Sequence, residues 1–335
     1  MTKLPCFYYS TTAVIIDDDQ IFLENIVTNL SNRISYQLFD NPKDAFIFLH
    51  DQEHYAPHPQ EFLCSFIDSS DDSVQYGKHP LNVNFAAIRN KLYNKNRFSI
   101  PSVIVVDHDM PDINGVEFCR NFIDFPIKKI MLTGVADHKI AINAFNDGII
   151  DKFIMKDDPN IFQTLNKAIY EMQHEYFIGL SELIISNITA STFSYLSHKK
   201  FIKFFFEFIK NQAITEFYLI DPIGSFLLVN ASYEFIWFIV KSEQTILNDK
   251  QIAIDQGASN EILSAFTTKT KLLFLFSEED YKQSVEMWPS HLYPANKVDD
   301  IQGCYYAVIH EKNVCKIKNK YIVKQNVPQL SNHVG

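Results

Sequence analysis

Short runs of apolar residues, each ending abruptly at a polar side chain, recur through the first half of the chain. They have the length and composition of buried parallel strands, and they are Ala13 to Ile16, Tyr36 to Phe39, Val103 to Val106, Ile130 to Leu132 and Phe153 to Met155. Helical spacing of apolar residues lies between them, at Ile21 to Leu30, Ala45 to Leu49, Val116 to Phe122 and Lys139 to Asn146. This alternation predicts an α/β fold with a doubly wound, five-stranded parallel sheet.

The second and third of these strands are separated by residues 40–102, whereas a parallel crossover usually needs about a dozen residues or somewhat more. We therefore predict a long insertion at about residues 51–101. Its early part, Asp68 to Asp72, is polar and acidic, while Phe85 to Tyr93 has apolar residues at helical spacing. This helix either binds a partner or a second copy, or packs on its own domain with one face in solvent, and we favour the latter.

The pattern changes after the fifth strand. Ile161 to Ile178 predicts a long amphipathic helix that can run on as a connector. A domain boundary is expected in the Ser-, Thr- and Ile-rich stretch from Ser181 to Leu196, which has no clear period. Further on, Pro222 and Gly224 mark a hairpin turn. The other predicted elements are helices at Phe201 to Ile209, Asn230 to Val240 and Asn260 to Phe266, and strands at Glu216 to Ile220, Ser225 to Val229, Leu272 to Phe276 and Tyr305 to Ile309. The second half is thus predicted to be a smaller α+β domain with an antiparallel sheet.

Composition and length agree with two folded domains. The 335 residues are 47% hydrophobic and 14% aromatic, which excludes a largely disordered chain. The start of the chain has no apolar signal region, and no run approaches the roughly 18 apolar residues of a membrane span, so a cytoplasmic protein that does not contact membranes is expected. The cysteines are odd in number and lack a C-x-x-C pair, which favours free thiols and argues against a zinc site built on them; they are Cys6, Cys64, Cys119, Cys304 and Cys315.

Charge is distributed unevenly. Through Leu180 there are 24 acidic and 15 basic residues, a net charge of −9, and from Ser181 onward there are 16 acidic residues and 15 lysines, a net charge of −1. The acidic excess therefore belongs to the predicted parallel-sheet domain. All arginines lie in that half as well, at Arg33, Arg89, Arg97 and Arg120, so the second half lacks the side chain that most often reads guanine.

Four of the five predicted strands end in side chains that carry chemistry, namely Asp17 and Asp18, Asp107, Thr133, and Lys156. In an open parallel sheet, ligands bind outside the carboxyl ends of the strands, so these groups are expected to converge. Several carboxylates in one crevice repel each other unless a cation lies between them, and Mg²⁺ suits a few carboxylates together with a phosphoryl oxygen. A carboxylate placed there can accept a phosphoryl group, with Lys156 as the neutralising cation and Thr133 as a hydroxyl donor.

The motifs that contain these residues resemble the receiver domain of two-component response regulators. The resemblance extends over about Thr11 to Tyr176, less the insertion, and its most specific part is Asp-x-x-Met-Pro-x-x-x-Gly followed in order by Thr and Lys. The matching runs are VIIDDD (Val14 to Asp19), VVDHDMPDING (Val105 to Gly115), MLTG (Met131 to Gly134) and FIMK (Phe153 to Lys156). We therefore predict a receiver domain at residues 8–178, a linker at 179–200 and an output domain at 201–325.

The resemblance implies a role for each residue of the site. The implied metal ligands are Asp17 through water, Asp18, Asp107 and the backbone carbonyl of Asp109. Asp107 is also the implied phosphoacceptor, Thr133 and Lys156 hold the phosphoryl group, and Phe153 occupies the aromatic switch position. The chain departs from the family at Asp157, where Pro usually follows the Lys.

Residues beside the site also have simpler structural interpretations. Asp19 is expected to be solvated or to begin a helix. His108 is expected to be a surface residue near the site and not a catalyst. For Phe153, ordinary packing is the alternative to a switch.

The second half resembles a PAS domain at the level of pattern, because the segment from Glu216 to Phe235 has a hairpin followed by Asn and an expected helix. The resemblance spans about Phe201 to Lys312, and an unassigned α+β interaction domain is the alternative. The whole layout has a receiver with a long insertion, a PAS-like second half and no helix-turn-helix pattern. This layout resembles the response regulators of quorum sensing found in Legionella.

These observations predict a two-component response regulator and not an enzyme, since its chemistry is limited to Mg²⁺-dependent self-phosphorylation and autodephosphorylation. The expected partner is a sensor histidine kinase or a phosphotransfer protein of a phosphorelay. Phosphorylation is expected to switch homodimerisation or output-domain contacts and so to control gene expression. The alternative is a phosphorylation-dependent adaptor that does not bind nucleic acid. The missing arginines favour the adaptor, whereas a lysine-rich tail able to meet phosphates favours nucleic acid; its members are Lys312, Lys316, Lys318, Lys320 and Lys324.

Overall fold

The structure is a computed structural model, and it describes residues 3–53, 56–64, 82–134, 136–191, 193–276, 280 and 282–310. The described residues form two compact units. One unit contains residues 8–59 and 91–182, and the other contains residues 3–7, the described part of 60–90, and the described residues from 183 to 310. The second unit is therefore assembled from three separate segments of the chain.

The strands and helices of both units are numbered here in chain order. The strands are β1 (Phe7–Tyr8), β2 (Thr12–Ile16), β3 (Ser35–Phe39), β4 (Leu63–Cys64), β5 (Asn82–Val83), β6 (Pro101–Asp107), β7 (Lys128–Thr133), β8 (Lys152–Met155), β9 (Ile214–Leu219), β10 (Phe226–Asn230), β11 (Phe235–Ser242), β12 (Lys271–Leu273), β13 (Leu292–Pro294), β14 (Asn296–Lys297) and β15 (Cys304–His310). The α-helices are α1 (Gln20–Asn29), α2 (Pro42–Glu53), α3 (Phe85–Asn90), α4 (Gly115–Arg120), α5 (His138–Asn146), α6 (Ile161–Ser191), α7 (Lys199–Asn211), α8 (Glu243–Asp255) and α9 (Asn260–Thr268).

The first unit contains the predicted five-stranded parallel sheet, with strand order β3-β2-β6-β7-β8. Side chains alternate between the two faces of each strand. Val14 and Ile16 pack in a core with α2, α4 and α5, whereas Ala13 and Ile15 pack in a second core with α1 and α6. Because both faces are covered, the strands are continuously apolar, and the prediction of a doubly wound α/β sheet is confirmed.

The second unit contains a six-stranded sheet of order β1-β9-β10-β11-β15-β14. Its pairs from β9 onward are antiparallel. On one face, Phe205 of α7 packs its ring 4.5 Å from that of Phe226 and 5.4 Å from that of Phe217. On the other face, α8 and α9 form a core with Ile239 and Trp288. The predicted antiparallel α+β domain is therefore confirmed.

The helix predicted from Asn230 to Val240 is wrong, because the residues from Phe235 onward form strand β11. Asn230 does not begin a helix: its Oδ1 accepts hydrogen bonds from the backbone N–H groups of Ser232 and Glu234, both at 2.9 Å, which closes a turn. β11 then pairs with β10 on one side and β15 on the other. The apolar run FIWFIV suits a central strand buried on both faces. The PAS resemblance loses the support of that helix and stays a prediction.

The insertion does not pack as expected. We favoured packing of its helix on the parallel-sheet domain, but α3 belongs to the unit with the antiparallel sheet and contacts β9 there. Phe62, fully buried, places its ring 5.1 Å from that of Phe7 in the same unit. The acidic segment Asp68 to Asp72 and the lysine-rich tail both lie outside the described residues.

α6 begins at Ile161 and runs on past Ile178 to Ser191, the continuation expected of a connector, and it takes in much of the predicted linker at 179–200. The boundary between the two units falls inside this helix, after Glu182. Helix α8 was not predicted, because its buried residues are Ile246 and Ala253 and this apolar face is too sparse to give a helical signal. No helix in the described part of the chain is both long and apolar enough to cross a bilayer.

Candidate functional site

The predicted site residues of the parallel sheet lie at one edge, where its strands end. Asp17 directly follows β2, Asp107 and Thr133 are the last residues of β6 and β7, and Lys156 directly follows β8. β6 pairs in parallel with both β2 and β7, which brings these carboxyl ends together. The prediction that these groups converge is therefore met by the fold.

Lys156 links the two buried carboxylates. Its Nζ lies 2.8 Å from Oδ2 of Asp17 and 2.8 Å from Oδ1 of Asp107. Asp17 is fully buried and Asp107 is 5% exposed. The backbone N–H of Lys156 also donates to the carbonyl of Thr133 at 2.9 Å, and its ammonium lies 4.8 Å from the ring centroid of Phe22. Lys156 thus reaches the pocket although Asp157, and not Pro, follows it.

Burial and charge act against each other at this pair. Burial raises the pKa of Asp17 from its ordinary value of 3.8 to about 6, although the adjacent Lys156 ammonium lowers it, and the nearby Asp107 charge raises it further. For Lys156, burial lowers the pKa, but the close contacts with Asp107 and Asp17 outweigh burial and hold the pKa above its usual range. Lys156 is therefore cationic near neutral pH. The ionised form of Asp17, by contrast, is less stable in the folded protein than in water.

The acidic residues of this pocket fit a hard divalent cation. One carboxylate oxygen each from Asp17, Asp18 and Asp107 lies within 4.8 Å of the others. Oδ2 of Asp17 is buried and, apart from its ion pair with Lys156, makes no hydrogen bond among the described residues. Oxygen donors alone are what Mg²⁺ prefers. The residues able to hold it are thus the three aspartates, with the Asp109 carbonyl as the further ligand that the resemblance implies.

Local hydrogen bonds fix the loops that carry these side chains. Oδ1 of Asp17 accepts from the backbone N–H of Asp19 at 3.0 Å. Asp19 caps α1, because its Oδ1 accepts from the backbone N–H groups of Ile21 and Phe22 at 2.9 and 3.1 Å. The expectation that Asp19 begins a helix is therefore confirmed. Asn114 caps α4 in the same way, by accepting from the N–H of Glu117 at 2.9 Å.

Gly115 lets α4 approach the end of β6. A Cβ at this position would lie 2.3 Å from the carbonyl oxygen of Asp107. The Gly115 N–H instead donates to the carbonyl of His108 at 2.9 Å. The Gly of the sequence motif is thus required by a backbone contact next to Asp107.

Thr133 and Phe153 occupy the other side of the site. Thr133 is fully buried, and its hydroxyl donates to the carbonyl of Gly134 at 3.2 Å. Phe153 is half-buried, and its ring centroid lies 5.5 Å from that of His138 and 6.4 Å from that of Phe145. The partial exposure and these two neighbours on α5 are compatible with a ring that changes position.

The expectation that His108 is a surface residue is wrong. Its side chain is only 8% exposed, and Nδ1 has no hydrogen-bond partner among the described residues. Nε2 faces the carboxylates of Asp109 and Asp137. Asp137 was not singled out in the sequence, because it stands in a polar loop without a motif, and only the parallel pairing of β6 and β7 brings it beside His108.

Comparison with known proteins extends this description. No family profile matches the chain, and neither does any curated protein. Among solved structures, the Legionella pneumophila response regulator LqsR is 32% identical to it, with a TM-score of 0.75 over 92% of this chain and 90% of that chain. Response regulator receiver domains of Clostridium thermocellum and of Methanospirillum hungatei JF-1, the latter CheY-like, are 17% and 16% identical over 49% and 51% of this chain and 94% and 98% of theirs, each with a TM-score of 0.32.

The parallel sheet with its acidic edge therefore defines a receiver-type α/β domain, followed by an antiparallel α+β domain. The chain belongs to the two-component response regulators. Within that family its similarity to LqsR extends over both halves of the chain.

Proposed function

We propose that Asp107 of this response regulator accepts a phosphoryl group from a sensor histidine kinase or a phosphotransfer protein. The observation that carries the proposal is the position of Lys156 Nζ, 2.8 Å from both Asp107 and Asp17, beside a third carboxylate at Asp18. A structural core does not need a buried acid pair with one shared cation, whereas phosphoryl transfer to a carboxylate needs fixed positive charge around it.

Each residue has a defined part in the proposed step. A carboxylate oxygen of Asp107 forms a bond to phosphorus as the P–N bond of the phosphohistidine donor breaks; the product is an acyl phosphate, and the released imidazole nitrogen takes up a proton. Lys156 pairs with a phosphoryl oxygen, and the Thr133 hydroxyl donates a hydrogen bond to another. A bound Mg²⁺ would neutralise negative charge on the transferred group. Asp17, Asp18, Asp107 and the carbonyl of Asp109 would hold that ion.

The first prediction tests the phosphoacceptor. Incubation with acetyl phosphate and Mg²⁺ is expected to add one phosphoryl group to the wild type and none to Asp107→Asn, measured by intact mass. Asp112→Asn is the matched control, since Asp112 is an exposed acid of the same domain that pairs with Lys43. Equal labelling of Asp107→Asn and the wild type would disprove the assignment.

The second prediction tests the metal ligands. Asp18→Ala is expected to abolish Mg²⁺-dependent labelling without unfolding the domain, because removal of one carboxylate from a crowded acidic crevice relieves repulsion. Circular dichroism checks the fold, and labelling over a range of Mg²⁺ concentrations checks the function. Unchanged labelling of this variant would count against Asp18 as a ligand.

We propose that the phosphorylated form dimerises and so controls gene expression. The proposal is supported by exposed apolar residues of α5, Ile140, Ile142 and Phe145, of which Phe145 lies next to Phe153. A phosphoryl group that draws Thr133 inward would give the Phe153 ring a new position beside this face. A cytoplasmic location is part of the proposal, since Cys64, Cys119 and Cys304 are not in disulfides.

The adaptor remains the second candidate for the output. It is favoured by the absence of arginine from residue 181 onward, because guanine is most often read by Arg. An electrophoretic mobility assay with the phosphorylated protein and random-sequence duplex DNA distinguishes the two. Binding that persists above physiological salt favours a nucleic-acid output, whereas no binding at low salt favours the adaptor.

A further inference from the structure

A second group of potential metal ligands lies beside the phosphorylation site. It consists of His108, Asp109 and Asp137, whose ligand atoms all lie within 4.8 Å of one another. His108 Nε2 is 3.9 Å from Oδ1 of Asp109 and 4.0 Å from Oδ1 of Asp137. None of these three side chains belongs to the acidic pocket formed by Asp17, Asp18 and Asp107.

The imidazole of His108 has no hydrogen bond that would explain its burial. The side chain is 8% exposed. Nδ1 has no hydrogen-bond partner among the described residues, and Nε2 faces two carboxylates that lie beyond hydrogen-bond distance. A buried polar group normally has a partner. A cation bonded to Nε2 and the two carboxylates would give that nitrogen one, whereas Nδ1, on the opposite side of the ring, is not reached from there.

The backbone holds His108 in place. Its N–H donates to the carbonyl of Leu132 at 3.0 Å, and its carbonyl accepts from the N–H of Gly115 at 2.9 Å. Asp137 is the residue before α5, yet its carboxylate does not cap that helix, so its oxygens stay free to bind elsewhere. Asp109 is 77% exposed and can turn toward Nε2.

The donor set distinguishes this group from the acidic pocket. One imidazole nitrogen with two carboxylate oxygens suits Zn²⁺ and similar transition metals, whereas an all-oxygen set suits Mg²⁺. Ligand bonds of about 2.0–2.2 Å in a tetrahedral site place neighbouring donors about 3.3–3.6 Å apart. The two separations from Nε2, 3.9 and 4.0 Å, are longer than this, and the two carboxylates lie within 4.8 Å of each other, so both carboxylates must move inward to bind one ion.

We propose that His108, Asp109 and Asp137 form a binding site for a divalent transition metal of the Zn²⁺ class, distinct from the Mg²⁺ pocket. The site contributes three protein ligands and leaves the remaining position to water. It joins the loop after β6 to the loop after β7. Asp109 takes part through its side chain, while its carbonyl is the atom that the resemblance assigns to Mg²⁺.

The experiment is a Zn²⁺ titration of the full-length protein by isothermal calorimetry, with millimolar Mg²⁺ present throughout to keep the acidic pocket saturated. The wild type is expected to bind one equivalent of Zn²⁺. His108→Gln and Asp137→Asn are each expected to weaken this binding at least about tenfold. His138→Gln is the matched control, because His138 is an exposed histidine one residue from Asp137, and its affinity should equal that of the wild type.

A second readout identifies the nitrogen ligand. Co²⁺ in place of Zn²⁺ should give a visible d–d absorption band in the wild type that changes in His108→Gln. If His108→Gln fails to fold, Asp109→Asn, at an exposed carboxylate, tests the ligand set by calorimetry and is expected to weaken Zn²⁺ binding, while the Co²⁺ band of the wild type reports the nitrogen ligand. The proposal is overturned if the wild type does not bind Zn²⁺ in excess Mg²⁺, or if the His108 and Asp137 variants bind as tightly as the His138 control.

Discussion

At the scale of single residues, Asp17 has a raised pKa although it forms an ion pair with Lys156. Burial raises its pKa to about 6, even though the Lys156 ammonium lies 2.8 Å away. One lysine is shared between two buried aspartates, so without a metal the pocket has a net negative charge. The native state therefore carries a cost that depends on pH and on bound cation.

A third prediction follows for stability without metal. Because the pKa of Asp17 is higher in the folded state than in the unfolded state, its contribution to stability is full below about pH 4 and is lost as pH rises through 6. Asp17→Asn is therefore expected to stabilise the protein in EDTA by up to about 3 kcal/mol above pH 7. This advantage should vanish near pH 4, and thermal unfolding across this pH range measures it.

A control compares Asp17→Asn and the wild type in the presence of Mg²⁺. Mg²⁺ should raise the unfolding temperature of the wild type but not that of Asp17→Asn, because ligand binding stabilises only the form that has the site. A pH-independent difference between the two proteins in EDTA would contradict the assigned cause.

The residues of the candidate site were predictable because each stands at the end of a recognisable strand. Two observations were enough to predict them: apolar runs end at these polar residues, and ligands bind at the carboxyl ends of parallel strands. The residues are Asp17, Asp107, Thr133 and Lys156. His108 was misjudged as exposed. Its burial depends on neighbours that come from different loops, and no local pattern records them.

At the scale of elements, the contact between α4 and the end of β6 positions the proposed phosphoacceptor. The carbonyl of Asp107 lies where a side chain at Gly115 would be. Since the clash would be with backbone, a rotamer change cannot relieve it, and one of the two elements must move.

A fourth prediction concerns this contact. Gly115→Ala is expected to lower the free energy of unfolding by about 1–3 kcal/mol, as overpacked sites do, and to reduce labelling of Asp107. Gly179→Ala is the matched control, because Gly179 lies in α6 with nothing within 4 Å of its would-be Cβ; it should gain about 0.5–1 kcal/mol. Urea denaturation of both variants checks the pair, and a Gly115→Ala protein as stable as the wild type would show that α4 is free to shift.

Helices and strands whose own sequence shows a clear apolar pattern were predicted. Those whose structure depends on pairing or packing with another element were not. Most of the parallel strands contain a continuous apolar run that ends at a polar residue, so each of these is visible alone. β11 differs, because the continuous apolar run Phe235 to Val240 was assigned to a helix on the start signal at Asn230 to Ser232, whereas it pairs with β10 and β15 as a strand. The packing partner of α3 could not be inferred from its own sequence.

At the scale of the whole molecule, the exposed apolar residues of α5 are the contact that we propose for a second copy of the chain. A fifth prediction is that beryllofluoride with Mg²⁺ strengthens self-association by about 5–150-fold, the range of typical allosteric couplings. Sedimentation velocity with and without beryllofluoride measures it.

Substitutions on α5 and α8 test whether α5 forms the contact between the two copies. Ile140→Glu, at a residue 43% exposed on α5, is expected to abolish the effect, whereas Leu247→Glu, at a residue 48% exposed on α8, should leave it intact. An identical association constant in both conditions for the wild type would rule out this mechanism.

The assembly of the second unit from three chain segments has a consequence for biosynthesis. The edge strand β1 emerges first, but its partner β9 is made roughly 200 residues later, a delay of about 10–40 s at ordinary rates of translation. Until then the apolar residues Phe7 and Phe62, which are fully buried in the finished protein, have no sheet to cover them. All strands of the parallel sheet are therefore synthesised before β9, while the N-terminal segments of the other unit are still unpaired. We expect a chaperone that binds exposed apolar segments to act mainly during that interval.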